Sequence, residues 1–204
     1  MEVRLDAVAA VVLDGLSYRR AGRMVGISKT EVGEAVCVDG LGTRVQRPSS
    51  WVNQKVLYDA KRHAHTAQGL AVSTVWGDLL WVDGGWPGSC HEQELVQLTG
   101  LDQVLDAAGV ASLLDRGFRG MAKLREHWHA PVGDRRTKDR LSDGQRAFNR
   151  CQAGLRALVE QAIGHLASAW ALRRWRGLLY RIRDVYRAAG ALICLGRWLH
   201  RIPI

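Results

Sequence analysis

The stretch that decides the fold class is residues 70–83, LAVSTVWGDLLWVD. It holds two apolar runs rich in β-branched and aromatic residues, 70–76 and 79–83, parted by Gly77-Asp78. A Gly-X pair between such runs predicts a hairpin with a two-residue type II′ turn, because glycine takes the positive φ that this turn requires. Upstream, residues 35–40, AVCVDG, form a short apolar run closed by an acid and a glycine, which reads as a buried strand. Residues 110–114 form another, closed by Asp115 and then Gly117. Between them, residues 86–89, WPGS, break the hairpin, and residues 92–108 read as helix.

Farther along, residues 119–128 predict a short helix, 130–132 a last short strand and 137–141 a basic loop. From Ser142 to about Trp170 the spacing predicts one long helix. Its apolar stripe is Leu155, Leu158, Val159, Ala162, Ile163, Leu166 and Trp170. A basic turn spans 173–176, and residues 178–199 read as a final amphipathic helix. Antiparallel strands followed by alternating helices and short strands predict an α/β domain over residues 35–204, a mixed sheet flanked by helices.

Residues 1–34 read differently, as three short helices. Ser28 caps the third, with Glu31 three residues on, after a turn that Gly26 permits. Helix, glycine turn and capped helix is the helix-turn-helix pattern, in which the start of the second helix meets base edges. Ser28, Lys29 and Thr30 are the predicted DNA readers. A generic helical hairpin has the same spacing.

The charge supports a polyanionic partner. The chain of 204 residues carries 29 Lys and Arg against 20 Asp and Glu. Residues 1–115 hold 10 basic and 14 acidic side chains, and residues 116–204 hold 19 and 6. Such a field attracts nucleic acid, and arginine suits bidentate phosphate contacts. Six arginines crowd residues 173–187, Arg173, Arg174 and Arg176 among them. As DNA contacts they would give a log–log salt slope of about −5; a solvated basic helix face reads equally well. No apolar run is long enough to span a bilayer. The four cysteines are widely spaced without a C-x-x-C, so neither a disulfide framework nor a zinc cluster is indicated and a reduced cytosol is expected. No glycine pattern fits a phosphate-binding P-loop.

Three acids stand out. Asp39 and Asp115 each close a short apolar strand, and in open α/β sheets the carboxyl ends of strands are where sites form. Glu160 lies one residue off the apolar stripe of the long helix, with Arg156 one turn earlier. Converging carboxylates repel one another unless a hard divalent cation sits among them. Two turn aspartates and a surface Glu160–Arg156 pair would account for the same residues.

An ordered set of motifs distinguishes these readings. It runs Val38-Asp39-Gly40, Tyr58 with Lys61 and His65-Thr66, the hairpin, Pro87-Gly88-Ser89-Cys90-His91, then Leu113-Leu114-Asp115-Arg116-Gly117-Phe118-Arg119-Gly120, Asn149, and Arg156 with Val159-Glu160. Over residues 35–200 this resembles the catalytic part of insertion-sequence transposases of the DDE superfamily. The resemblance implies a ribonuclease-H-like fold, and Asp39, Asp115 and Glu160 as catalytic, metal-binding acids. It implies two Mg²⁺ (or Mn²⁺) ions, Asp39 bridging them. Arg156 and His91 would support the site, and Lys61 would contact DNA. The implied partners are double-stranded DNA at the element's terminal repeats and at the target, with a homodimer on DNA and no membrane. The implied location is the bacterial cytoplasm, on the nucleoid.

Three departures are visible. The family usually carries Asp where this chain has Glu92. Related members often have Lys where Ala167 stands. Family members also hold several dozen more residues between the helix-turn-helix and the first catalytic strand. That shortening reads as an internal deletion, so a transposase made inactive is one expectation. The alternatives are a non-catalytic DNA-binding relic or repressor of the parent element, and a repair nuclease of the same fold.

Overall fold

Ten residues of extended chain, β1 (Val36–Val45), form the centre of the sheet. The structure is a computed structural model and describes residues 35–133 and 141–199. The helix-turn-helix expected over residues 1–34, with Ser28, Lys29 and Thr30, lies outside the described residues.

After β1 come α1 (Trp51–Leu57), β2 (Tyr58–Asp59), β3 (Ala64–Thr74) and β4 (Leu79–Pro87). Then follow α2 (Glu92–Leu98), α3 (Leu101–Ala108), β5 (Ser112–Leu114), a 3₁₀ turn (Arg116–Phe118), α4 (Arg119–Ala122) and β6 (Trp128–His129). The chain ends in α5 (Asp143–Ser168), α6 (Trp170–Arg173), β7 (Arg174–Trp175), a second 3₁₀ turn (Leu179–Arg181) and α7 (Ile182–Leu199). The strands lie in the order β4-β3-β1-β5-β6, with short β2 on β3 and short β7 on β1. β3 runs antiparallel to β1, and β4 to β3, whereas β1, β5 and β6 are parallel. This is the ribonuclease-H-like mixed sheet expected from the sequence.

Alternation along β3 feeds two cores. Leu70 and Val72 enter one with Val36, Val38, Leu95, Leu105, Leu114 and Phe118. Ala67 and Ala71 enter the other with Leu41, Leu79, Val82, Leu166, Ile182 and Tyr186. Helices cover both faces, so the middle of β3 is buried without a break from Thr66 to Ser73. α7 is fastened to the hairpin at two points. The ring of Tyr186 fills the space above Gly69 and Gly84, and a Cβ at Gly84 would run into it. Its hydroxyl pairs with Thr43 Oγ1 at 2.6 Å. Beside it, Arg183 donates twice to the buried Asp83 carboxylate, at 2.9 and 2.8 Å.

Several local expectations change. The hairpin is present, but β3 ends at Thr74 and β4 starts at Leu79, so its loop is the four residues 75–78 rather than a two-residue turn. Thr74 closes that loop: its hydroxyl accepts from the N–H of Trp76 and of Asp78, while Gly77 takes φ 79°. The helix expected over 92–108 breaks into α2 and α3 at Gly100, which is left-handed at φ 69°. The short helix ends at Ala122, the strand expected at 130–132 lies ahead of it at Trp128–His129, and it is not the last, since β7 follows. Residues 173–176 are no simple turn, since Arg174 and Trp175 pair in parallel with Arg44 and Val45 at the end of β1. Helix α1 has no counterpart in the sequence reading. Trp51, Val52 and Val56 are exposed on it, so its apolar residues follow no buried stripe.

Candidate active site

The site forms where β1 and β5 run side by side. Val38 pairs with Leu114, so the next residues, Asp39 and Asp115, stand side by side where the parallel pairing ends; Asp115 leaves β5, whereas β1, expected to close at Asp39, runs on to Val45. Each carboxylate is fixed by the backbone that follows it. Asp39 Oδ1 accepts from the Gly40 N–H at 2.9 Å, and Asp115 Oδ1 accepts from the Arg116 N–H at 2.5 Å. The second of these caps the 3₁₀ turn Arg116–Phe118.

Helix α5 delivers a cation to the pair. It starts at a capping box, in which Ser142 Oγ accepts from Gln145 N and Gln145 Oε1 from Ser142 N. Three polar side chains at helical spacing then face the sheet. Asn149 pairs with both backbone groups of Val132. The buried Gln152 donates to the carbonyls of Leu114 and His129. One turn on, Arg156 Nη1 lies 2.7 Å from Asp115 Oδ1, and Nη2 lies 3.3 Å from Asp39 Oδ2. Gln152 therefore ties the helix to the residue just before Asp115, and Arg156 spans both acids. Val159 and Leu166 bury the same face below.

Burial pushes the Asp39 carboxyl above its ordinary pKa; the Arg156 guanidinium and the Gly40 N–H pull it down, while Asp115 and Glu92 push it up. Burial works against the charge on Arg156, yet Asp39 and Asp115 together hold its pKa above the ordinary arginine value. Glu160 sits one turn beyond Arg156 and is exposed. The surface Glu160–Arg156 pair allowed by the sequence is replaced by the pairing of Arg156 with the two aspartates. Among the described residues, no group of three or more His, Cys, Asp or Glu side chains is placed to hold a metal ion. The structure thus brings Asp39, Asp115 and Arg156 together and does not gather Glu160 with them.

Exposed Lys61 lies 3.7 Å from Glu92. Its turn is held by the buried Asp59, which accepts from the N–H groups of Lys61 and Arg62 and from the side chains of Arg62 and Gln68. His91 is exposed at the N-cap of α2 and makes no side-chain cap. Arg173, Arg174 and Arg176 are exposed around a cleft of about 480 Å³ shared with Trp175. Asp59, Gln152 and Glu92 were missed by the sequence reading as residues that shape this site. Glu92 alone had a signal, its place directly after Pro87-Gly88-Ser89-Cys90-His91.

A mixed sheet with two carboxylates side by side on neighbouring parallel strands, bridged by an arginine from a covering helix, is a ribonuclease-H-like scaffold. The chain belongs to the DDE superfamily endonucleases: the sequence profile of that family matches residues 38–195. No curated protein and no solved structure matches it. Such endonucleases use divalent metal ions, and the donors here suit one. Asp39 and Asp115 offer hard oxygens that converge on a single positive centre, and Mg²⁺ is commonly held by one or two carboxylates plus substrate phosphate oxygens. Among the described residues no helix is long and apolar enough to cross a membrane.

Proposed function

We propose that this chain is a DNA transposase, a metal-dependent endonuclease and strand transferase acting at insertion-sequence ends. In this reading residues 1–34 are a helix-turn-helix DNA-binding segment, and residues 35–204 are the catalytic domain. The observation that carries the proposal is the Asp39–Arg156–Asp115 bridge, from within β1 to the residue after β5, inside a chain of the DDE endonuclease family.

Asp39 and Asp115, with Glu160 as the third acid of the motif, would hold Mg²⁺ or Mn²⁺. An ion held there supplies Lewis-acid activation of the attacking and leaving oxygens of a phosphodiester. Water attacks phosphorus and a 3′-hydroxyl leaves; that hydroxyl then attacks a target phosphodiester, whose own 3′-oxygen leaves as a hydroxyl. The protein's own part is positional. Gly40 N–H and Arg116 N–H orient the carboxylates, Gln152 seats α5, and Arg156 neutralises the acids until DNA and metal arrive. Lys61, Arg173, Arg174 and Arg176 bind phosphates, while Ser28, Lys29 and Thr30 read bases. His91 stands at the edge of the site. DNA at the terminal repeats and target is the partner, bound as a homodimer in the cytoplasm of a bacterium.

The test is a thermal melt with and without Mn²⁺, on wild type and Asp39→Asn. An ion that binds only the folded state at about 100 times its Kd adds about 2.7 kcal/mol. A rise in wild type that Asp39→Asn abolishes supports the nuclease. A second reading, a non-catalytic DNA-binding relic or repressor, is favoured by the exposed position of Glu160. A cooperative melt blind to Mn²⁺, with DNA binding that weakens steeply with salt, would select it.

A further inference from the structure

Helix α1 turns apolar side chains to solvent. Trp51 and Val52 are each 67% exposed, and Val56 is exposed one turn on. Three such groups together on one helix mark a contact surface rather than scattered exposure. The helix that carries them is held firmly. Leu57 is buried at its end, and the Ser89 N–H donates to the Val56 carbonyl at 3.1 Å. Gln54 ties the helix to the chain before it, accepting from Arg47 Nη2 and donating to the Pro48 carbonyl.

The charge along this part of the chain has one sign. From residue 40 to residue 77 there are five Lys and Arg and a single acid, Asp59. That acid is buried and taken up by Arg62 and the Lys61 N–H. Arg44, Arg47 and Lys55 are exposed. The Lys55 ammonium lies over the Trp51 ring, 5.3 Å from its centroid, and Arg47 reaches the same helix through Gln54. Arg44 pairs with Arg174 where β7 joins β1, so the cationic face continues toward the cleft of Arg173, Arg174 and Arg176. In the sequence this face is hidden, because residues 1–115 are acidic in sum.

An exposed aromatic ring among cations complements a planar base flanked by phosphates. A second copy of this chain fits badly, because a two-fold contact through this face would set its cations against one another. A fully paired duplex keeps its base faces stacked, whereas an unpaired base offers one. We propose that the α1 face is a DNA site separate from the carboxylates, on which the Trp51 ring stacks against an unpaired base while Arg47 and Lys55 hold the phosphates beside it. The inference rests on the reading of the chain as one that acts on DNA, and it adds the state of the DNA that is held, a strand opened out of its duplex.

The experiment is fluorescence anisotropy of the full chain with two labelled duplexes in EDTA, so that nothing is cut. One duplex carries a single unpaired adenine, and the other is the same sequence fully paired. Wild type is expected to prefer the first by about fivefold or more, the scale of one base stacked on an aromatic ring. Trp51→Ala should erase that preference and leave the salt slope unchanged, while Trp51→Phe keeps part of it. Lys55→Ala should weaken both duplexes and lower the magnitude of the log–log salt slope by about 1. Trp51 is exposed, so the alanine variant should melt with wild type. Equal affinity of wild type for the two duplexes, or a preference that survives Trp51→Ala, overturns the proposal and leaves the DNA-acting reading in place. A wild-type dimer that Trp51→Ala dissociates, with DNA binding unaltered, would make the face a contact between copies and overturn it too. If wild type binds neither duplex, the proposal and that reading fall together.

Discussion

Replacing Arg156 with glutamine removes both ion pairs of the site at once. The guanidinium lies 2.7 Å from Asp115 and 3.3 Å from Asp39, and the three side chains are 16%, 28% and 18% exposed, respectively. Removing one partner of a buried pair costs about 3–5 kcal/mol, whereas an exposed pair contributes about 0–1 kcal/mol. At this partial exposure the loss falls between, at about 2 kcal/mol. For a domain of this size that is a drop in Tm of about 4–8 °C. The pH dependence has a definite sign. Burial holds the Asp39 carboxyl above its ordinary pKa, so the folded protein binds that proton more tightly than the unfolded chain. The associated stability is complete below the ordinary carboxylate range and is lost as pH rises through the folded pKa. Arg156 opposes that loss, and Asp115 and Glu92 add to it. The variant's deficit should therefore be largest near pH 7 and shrink as the pH falls toward about 4. Melts of both proteins in EDTA from neutral to acid pH measure it. Equal Tm values at pH 7, or a deficit that widens in acid, would refute the reasoning.

Asp83 gives the opposite sign. Burial raises its pKa, but the bonds from Arg183 and Trp86 and the charge of Arg187 outweigh that and hold it below the ordinary value. Its stabilisation is present above the ordinary carboxylate range and lost as pH falls through the folded pKa; Asp83→Asn should lower the urea midpoint by about 2 kcal/mol equivalent at pH 7 and flatten the acid limb. Gly84→Ala drives a methyl into the Tyr186 ring and should cost about 2 kcal/mol by chemical denaturation; a neutral result would mean that the ring can move aside. Changing Arg173, Arg174 and Arg176 together to Ala should lower the magnitude of the log–log salt slope of DNA binding by about 3, measured by fluorescence anisotropy; an unchanged slope would remove the cleft from the DNA path.

Asp39 and Asp115 were singled out by a local signal, a short apolar run, an acid and a glycine, and the ordered motifs decided between them and plain turn aspartates; parallel pairing of β1 with β5 sets them side by side, though β1 runs on past Asp39 to Val45. The hairpin was legible for the same reason, though Thr74 lengthened its loop through side-chain bonds that no turn pattern contains. The partner of Arg156 was not legible. On the helix, Glu160 is its neighbour four residues away, but the sheet below offers two carboxylates, and they win. Glu92 was legible only as the acid that follows His91; its close approach to two glycines, at 40 and 117, on other elements was not. Helix α1 escaped because Leu57 is buried while Trp51, Val52 and Val56 face outward, which leaves no apolar stripe. The break between α2 and α3 turns on the left-handed backbone of Gly100.

The attachment of α7 to the hairpin has a temporal side. Asp83 meets Arg183 across 100 positions of sequence, and Thr43 meets Tyr186 across 143. At ribosomal speeds of about 5–20 residues per second, β4 waits about 5–20 s for its cover. During that interval the groove beside Gly69 and Gly84 has no ring to fill it, and Ala67, Ala71 and Val82 face water. The nascent chain therefore carries an open apolar sheet face while about half of its residues are added. A message cut short before codon 182 would yield a protein with every aspartate of the site in place and no means of closing the sheet that holds them.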